Sequence, residues 1–164
     1  MTHRTALTIA PAGPTTPVSR TWRWSNVALP EAHIGLMSIG VLAHVLRPWH
    51  IASRPSLRRV GWTLIIGGLA LAGWATREAG DIDLERPDRV ATSGPYSFSR
   101  NPMYVAWTLM FVGVGLVVRT AWLMVLLPVL AALTDREVRT EEDRLTAALG
   151  VEYQAYRAAV RRYL

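Results

Sequence analysis

Residues 103 to 145 read MYVAWTLMFVGVGLVVRTAWLMVLLPVLAALTDREVRTEEDRL. Two apolar runs, 103–118 and 121–134, are separated only by Arg119 and Thr120. A break that short between two apolar runs predicts a helical hairpin. The second arm then changes character at Asp135, from apolar to charged, with no glycine anywhere between Ala121 and Leu149. One helix should therefore run from 121 to 149, about 43 Å long at ~1.5 Å per residue. Pro128 lies inside it and should kink it. The apolar arms themselves are short, about 24 Å against a hydrocarbon thickness of ~30 Å.

Two further apolar segments precede the hairpin: 27–46, with Pro30 suited to a first helical turn, and 60–76. The chain has 164 residues, of which 51% are apolar and 18% charged, with a mean hydropathy of +0.19. Soluble domains usually carry roughly 25% charge. The apolar residues are clustered into runs, which points to an integral membrane protein. The expected fold is all-α: a polytopic membrane bundle of about four transmembrane helices, the last two a short hairpin, followed by a C-terminal amphipathic helix. Residues 1–26, rich in proline and without an apolar core, should form a flexible tail rather than a signal peptide. Residues 27–164 should form a single domain.

All 18 basic residues are arginine and the net charge is +6. The arginines flank apolar segments, so membrane lipids rather than nucleic acid are the expected partner. The seven tryptophans, from Trp22 and Trp24 to Trp122, lie near span ends, as an interfacial belt would. With the N-terminus, the 77–102 loop and the C-terminal segment on one side, that side holds 13 arginines and the other 5. The positive-inside rule makes the richer side cytoplasmic, in an inner membrane. Cysteine is absent, which removes disulfides, thiolate nucleophiles and cysteine metal sites. His33 and His44 are too few ligands for a metal and are assigned to interfaces. Gly113-Val114-Gly115 reads as close helix packing.

Two polar clusters break the apolar pattern. The first is SGPYSFSRNPMY, 93–104, at the end of a long loop carrying Asp81, Asp83, Glu85 and Asp88. Asn101-Pro102 is a helix-start signature. The helix end beside Arg100 serves either as an anion site or as a capped terminus with an arginine at the headgroups. Tyr96 and Tyr104 add aromatic surface with a polar tip. The second cluster, 135–145, holds Glu141, Glu142 and Asp143, and reads either as a solvated helix with internal ion pairs or as a site. The hairpin returns these carboxylates to the same membrane face as Arg100 and Asn101. After Gly150, a helix C-cap, VEYQAYRAAVRRYL places Tyr153, Tyr156, Val160 and Tyr163 on one helical face.

Taken in order, TSGPYSFSRNPMY, the hairpin and EEDRLTAALGVEYQAYRAAVRR resemble the isoprenylcysteine carboxyl methyltransferase and phospholipid methyltransferase-like family, over residues 92–164. The resemblance implies an integral membrane methyltransferase using S-adenosylmethionine, its pocket facing the cytoplasm and its lipid-like or prenylated substrate entering from the bilayer. Arg89, Val90, Ala91, Tyr96, Arg100, Asn101, Pro102, Met103 and Tyr104 would line the cofactor site. Glu141 would hold the cofactor. Glu142 would support it, and Glu142 or else a tyrosine would be the base for an amine or hydroxyl acceptor, with Arg136 and Arg139 on the substrate side. Asn101 stands where the family has histidine, and Leu149 where it has phenylalanine. Glu137 stands where the carboxyl methyltransferases carry an arginine linked to the substrate carboxylate. Carboxyl O-methylation of an isoprenoid acceptor is the favoured expectation. Lipid N-methylation, a sterol-type reductase using a nicotinamide cofactor, and a non-enzymatic membrane protein remain as alternatives.

Overall fold

The computed structural model describes residues 30–52, 54–80, 82 and 89–164. The expected N-terminal tail, Trp22, Trp24 and the loop acids Asp81, Asp83, Glu85 and Asp88 lie outside the described residues. Within them the chain is all-α: α1 Glu31–Leu46, α2 Pro55–Ala79, a 3-10 helix Gly94–Ser97, α3 Pro102–Val118, α4 Ala121–Leu149 and α5 Val151–Ala159.

The hairpin is as the sequence predicts. Arg119 adopts a left-handed conformation (φ 61°) at the end of α3. Thr120 caps α4 by accepting the Trp122 N–H at 3.2 Å. α4 runs unbroken through Pro128. α2 is longer than its apolar run, because Pro55 at its first position and Gly80 at its end set the limits instead. α5 is shorter than expected. Val160 turns extended, so Tyr163 leaves the helical face it was expected to share with Tyr153 and Tyr156.

Two interfaces hold the bundle. α2 and α3 form the most extensive one. It depends on missing side chains: a Cβ on Gly113 would lie 2.7 Å from the Gly61 carbonyl oxygen, and one on Gly68 would lie 2.7 Å from the Ala106 carbonyl oxygen. The backbones touch, as small residues permit. α1 packs on α4, with Gly40 against Leu123. Phe111, Leu123 and Leu130 form the buried core between them. At one end of the bundle the α1–α2 loop is tied to the hairpin turn. Ala121 N–H donates to the Trp49 carbonyl (2.8 Å), Ile51 N–H to the Arg119 carbonyl (3.1 Å), and the Trp122 indole to the Arg47 carbonyl (2.9 Å).

Against the expectation of four transmembrane spans, no helix among the described residues is long and apolar enough to cross a membrane. α1 and α3 are apolar but have only 16 and 17 residues. α2 and α4 are longer, but charged residues occupy the ends of one and half of the other.

The close contact of α2 and α3 sets a stability test. Gly113→Ala should lower stability by about 1–3 kcal/mol, since the group it meets is backbone that cannot give way. Gly67→Ala, whose Cβ meets nothing within 4 Å, should raise it by about 0.5–1 kcal/mol through helix propensity. Thermal unfolding of both variants beside the parent checks the opposite signs.

Candidate active site

The other end of the bundle gathers both polar clusters. α3 starts at Pro102, but Asn101 does not cap it with its side chain. Instead the Asn101 amide Nδ2 donates to the Arg162 carbonyl at 3.0 Å, and its N–H donates to Ser99 Oγ at 3.2 Å. The Arg100 N–H donates to the Arg161 carbonyl at 2.9 Å. The Tyr156 hydroxyl donates to the Tyr96 carbonyl at 2.6 Å. The segment before α3 is thus stitched to the C-terminal residues, while the first turn of α3 keeps N–H groups without a side-chain cap.

Beneath that segment sits Glu142, only 2% exposed. Arg100 Nη2 reaches its Oε1 at 2.9 Å, and Arg162 grips both its oxygens, with Nε at 3.1 Å and Nη2 at 2.8 Å. Burial pushes the Glu142 carboxyl up. The Arg162 hydrogen bonds and the charges of Arg100, Arg162 and Arg157 outweigh burial and hold it below its ordinary 4.5. Arg100 is itself nearly buried, and its Nε meets no partner among the described residues.

Glu141, one residue earlier, has the opposite environment. Burial raises its pKa, Glu142 and Glu137 add to the rise, and Arg144 only partly offsets it. Among the described residues no hydrogen bond or ion pair engages it. The two adjacent carboxylates are thus pushed in opposite directions by their surroundings. Around them burial, then carboxylate charge, raises the Tyr96 hydroxyl, and burial pushes Tyr153 up to about 12. These phenols stay neutral hydrogen-bonding groups at neutral pH.

Glu141 lines an open cleft whose empty space, solvent at its mouth included, is about 790 Å³. Arg89, Val90 and Ala91 form one wall and Tyr96 another. Arg100 and Asn101 lie along the edge, and Pro102, Met103 and Tyr104 present the start of α3. With Glu141, all ten residues expected at a cofactor site line this one cleft. Glu142 also borders it, already paired. Arg136 and Arg139 do not line it. Both are exposed on the far side of α4, where Arg139 pairs with Asp135 at 2.6 Å. Ile82, Leu145, Tyr153 and Tyr156 complete the lining. The two tyrosines carried a signal in the amphipathic face of α5; Arg162 carried none, since it follows the end of the helix.

The remaining candidates are packing groups. Gly113 faces Gly61, and a Cβ on Gly115 would meet Met124. His33 is fully buried, with its Nε2 3.1 Å from Thr108 Oγ1. His44 stacks edge-on against His50, with ring centroids 4.8 Å apart.

Among the described residues, helices around a cleft with one committed and one unengaged carboxylate define a small all-α protein with a polar site at one end. The model of the phospholipid methyltransferase family matches residues 57–150, 94 of the chain's 164. The chain belongs to that family. No curated protein and no solved structure matches it.

The two carboxylates should respond differently to substitution. Glu142→Ala leaves the nearly buried Arg100 without its counter-charge and Arg162 with Asp135 alone, and should cost about 3 kcal/mol or more. Because the folded Glu142 pKa is depressed, its contribution is complete above its unfolded value near 4.5 and is lost as pH falls through the folded value. Glu141 has a raised pKa, so its ionised form costs stability above that value. Glu141→Gln should therefore leave the protein at least as stable at pH 7. Thermal unfolding at pH 7 and pH 4 measures both signs.

Proposed function

We propose that the cleft binds S-adenosylmethionine and that the protein transfers its methyl group to a lipid-like acceptor. The observation that carries this reading is the convergence of loop 89–91, Tyr96, the start of α3 and the unengaged Glu141 on one cleft. The donor set fits the cofactor. The uncapped first turn of α3 and the unpartnered Arg100 Nε suit its carboxylate. Glu141 suits its positive charge. Met103, Tyr96 and Tyr153 offer apolar and aromatic surface for its base.

When bound, the cofactor supplies a methyl group on a good leaving group, so the chain's task is mainly to position and desolvate. Glu142 keeps Arg100 in place rather than acting on protons, since two guanidinium groups already hold its negative charge. As positive charge passes to the acceptor, Glu141 is the carboxylate left to take the acceptor's proton, and its raised pKa favours that.

The surroundings favour an amine over a carboxylate acceptor. Glu137 and Glu141 lie one turn apart on α4, and Glu31 at the start of α1 acts on Glu137. Burial and then Glu31 raise the Glu137 pKa. Arg136 and Arg139, which a carboxylate would need, are exposed on the other side. An acidic approach attracts an ammonium headgroup and repels a carboxylate. Lipid N-methylation therefore stands ahead of carboxyl O-methylation of the isoprenylcysteine type. The family favours both over reduction by a nicotinamide cofactor.

The bundle is best placed in the membrane, with the cleft on the arginine-rich cytoplasmic side. The outer faces of α1 and α2 expose Ile39, Leu42, Val45, Ile66 and Leu69, each more than half accessible. A continuous apolar exterior of that kind suits lipid. Arms of 16 and 17 residues suit a bilayer that thins locally or residues that reach to its surface.

Calorimetry of detergent-purified protein with S-adenosylhomocysteine should show binding, weakened roughly tenfold to a hundredfold by Glu141→Gln, the range of a charged hydrogen bond. Folded wild type that does not bind removes the methyltransferase reading. Labelled methyl transfer should favour aminophospholipids over prenylcysteine carboxylates; the reverse order returns the acceptor to the carboxyl class.

A further inference from the structure

The family match ends at Gly150, but the cleft does not. Tyr153 and Tyr156 on α5 line it, and beyond α5 the chain crosses back to the start of α3. Four contacts hold that return. Arg162 binds Glu142 through two nitrogens and Asp135 through Nη1 at 3.3 Å, and the Tyr163 hydroxyl lies 3.4 Å from the same Asp135 oxygen. The Arg161 and Arg162 carbonyls accept the Arg100 N–H and the Asn101 amide. No helix supports residues 161 and 162, because α5 ends at Ala159 and Val160 is extended. The placement of those two carbonyls therefore depends on side-chain contacts to α4, of which Arg162 makes three and Tyr163 one. Glu142 in turn is the acid that holds the Arg100 guanidinium.

We infer that Arg162, outside the family match, is a positioning residue for the cofactor cleft: by gripping Glu142 and carrying the carbonyl that Asn101 binds, it fixes Arg100, Asn101 and the start of α3. The inference rests on reading the cleft as the methyl-donor site. It predicts a local effect. The hydrophobic core at Phe111, Leu123 and Leu130 lies in the hairpin and α4, and none of its side chains touches the return segment through a hydrogen bond or ion pair. A guanidinium is required because it binds Glu142 through two parallel bonds and Asp135 through a third; an ammonium offers one point charge.

The test uses the full chain with Arg162→Gln and Arg162→Lys. Hydrogen exchange should accelerate at the Arg100, Asn101 and Met103 amides in Arg162→Gln, while amides at the centres of α2 and α3 stay at the parent rate. S-adenosylhomocysteine should bind that variant about tenfold more weakly, the scale of one charge-assisted hydrogen-bond pair. Arg162→Lys should recover part of the affinity. Parent-like exchange at 100–103 in Arg162→Gln overturns the inference, as does parent-like affinity in a folded variant. A folded wild type that binds no S-adenosylhomocysteine is a different result: it removes the cofactor reading, and this role with it.

Discussion

The ion triad of Arg100, Glu142 and Arg162 is the interaction on which the polar end of this protein depends. Glu142 projects from a long helix that is otherwise changing from apolar to charged. At 2% exposure an unpaired carboxylate there would be prohibitively costly. Two guanidinium groups solve that problem, and in doing so they fasten the segment before α3 and the end of the chain to α4. A buried ion pair is weak evidence for net stability, because a well-packed apolar substitute often does as well. Its value here is geometric: three parts of the chain distant in sequence acquire one relative placement, and that placement forms a cleft wall.

The neighbouring glutamate shows why the placement matters. Glu141 and Glu142 are one residue apart, so α4 points them about 100° apart around its axis. One turns under the segment before α3 and is neutralised by arginine. The other turns to the cleft and is left without a partner among the described residues. Such a residue costs the protein free energy, which a cationic ligand would return in the cofactor reading proposed above. In that reading stability and function are divided between adjacent positions of identical chemistry by helix geometry.

The helices were largely legible in the sequence, because their ends carry strong local signals. Pro102 after Asn101, Thr120 within a two-residue break and Gly150 fix α3 and α4 to the residue. Where the apolar run was the only guide the limits were less legible: α2 exceeds its run at both ends, because Pro55 and Gly80 rather than hydropathy bound it. The cleft lining was legible from the order of motifs, since the ten residues that the family resemblance implied meet there, seven from the two polar clusters and Arg89, Val90 and Ala91 from the loop before them. Two things were not. Asn101 reads locally as a cap, but its side chain is taken by a carbonyl some sixty positions away. Arg162 reads as one more basic residue of an amphipathic helix, but that helix ends before it. Both depend on a return of the chain that no local pattern encodes. Membrane crossing is the converse case: hydropathy proposes it, and helix length does not reach it.

That shortfall bears on how a lipid would meet the cleft. In the membrane placement proposed above, an apolar arm of 16 or 17 residues spans about 24–26 Å, less than the ~30 Å of hydrocarbon. A bundle of that height draws the headgroup layer inward around itself. The cleft is lined by Tyr104, one residue into the apolar arm of α3, and by Glu141, two turns past the end of the apolar arm of α4. A lipid whose chains stay beside α3 and α4 then has its headgroup at the height of the cleft without leaving the bilayer. The acidic residues Glu31 and Glu137 lie on that approach, between the hydrocarbon and Glu141. The same short arms that keep these helices below the length of a full span would bring the acceptor's polar group to the unpaired carboxylate.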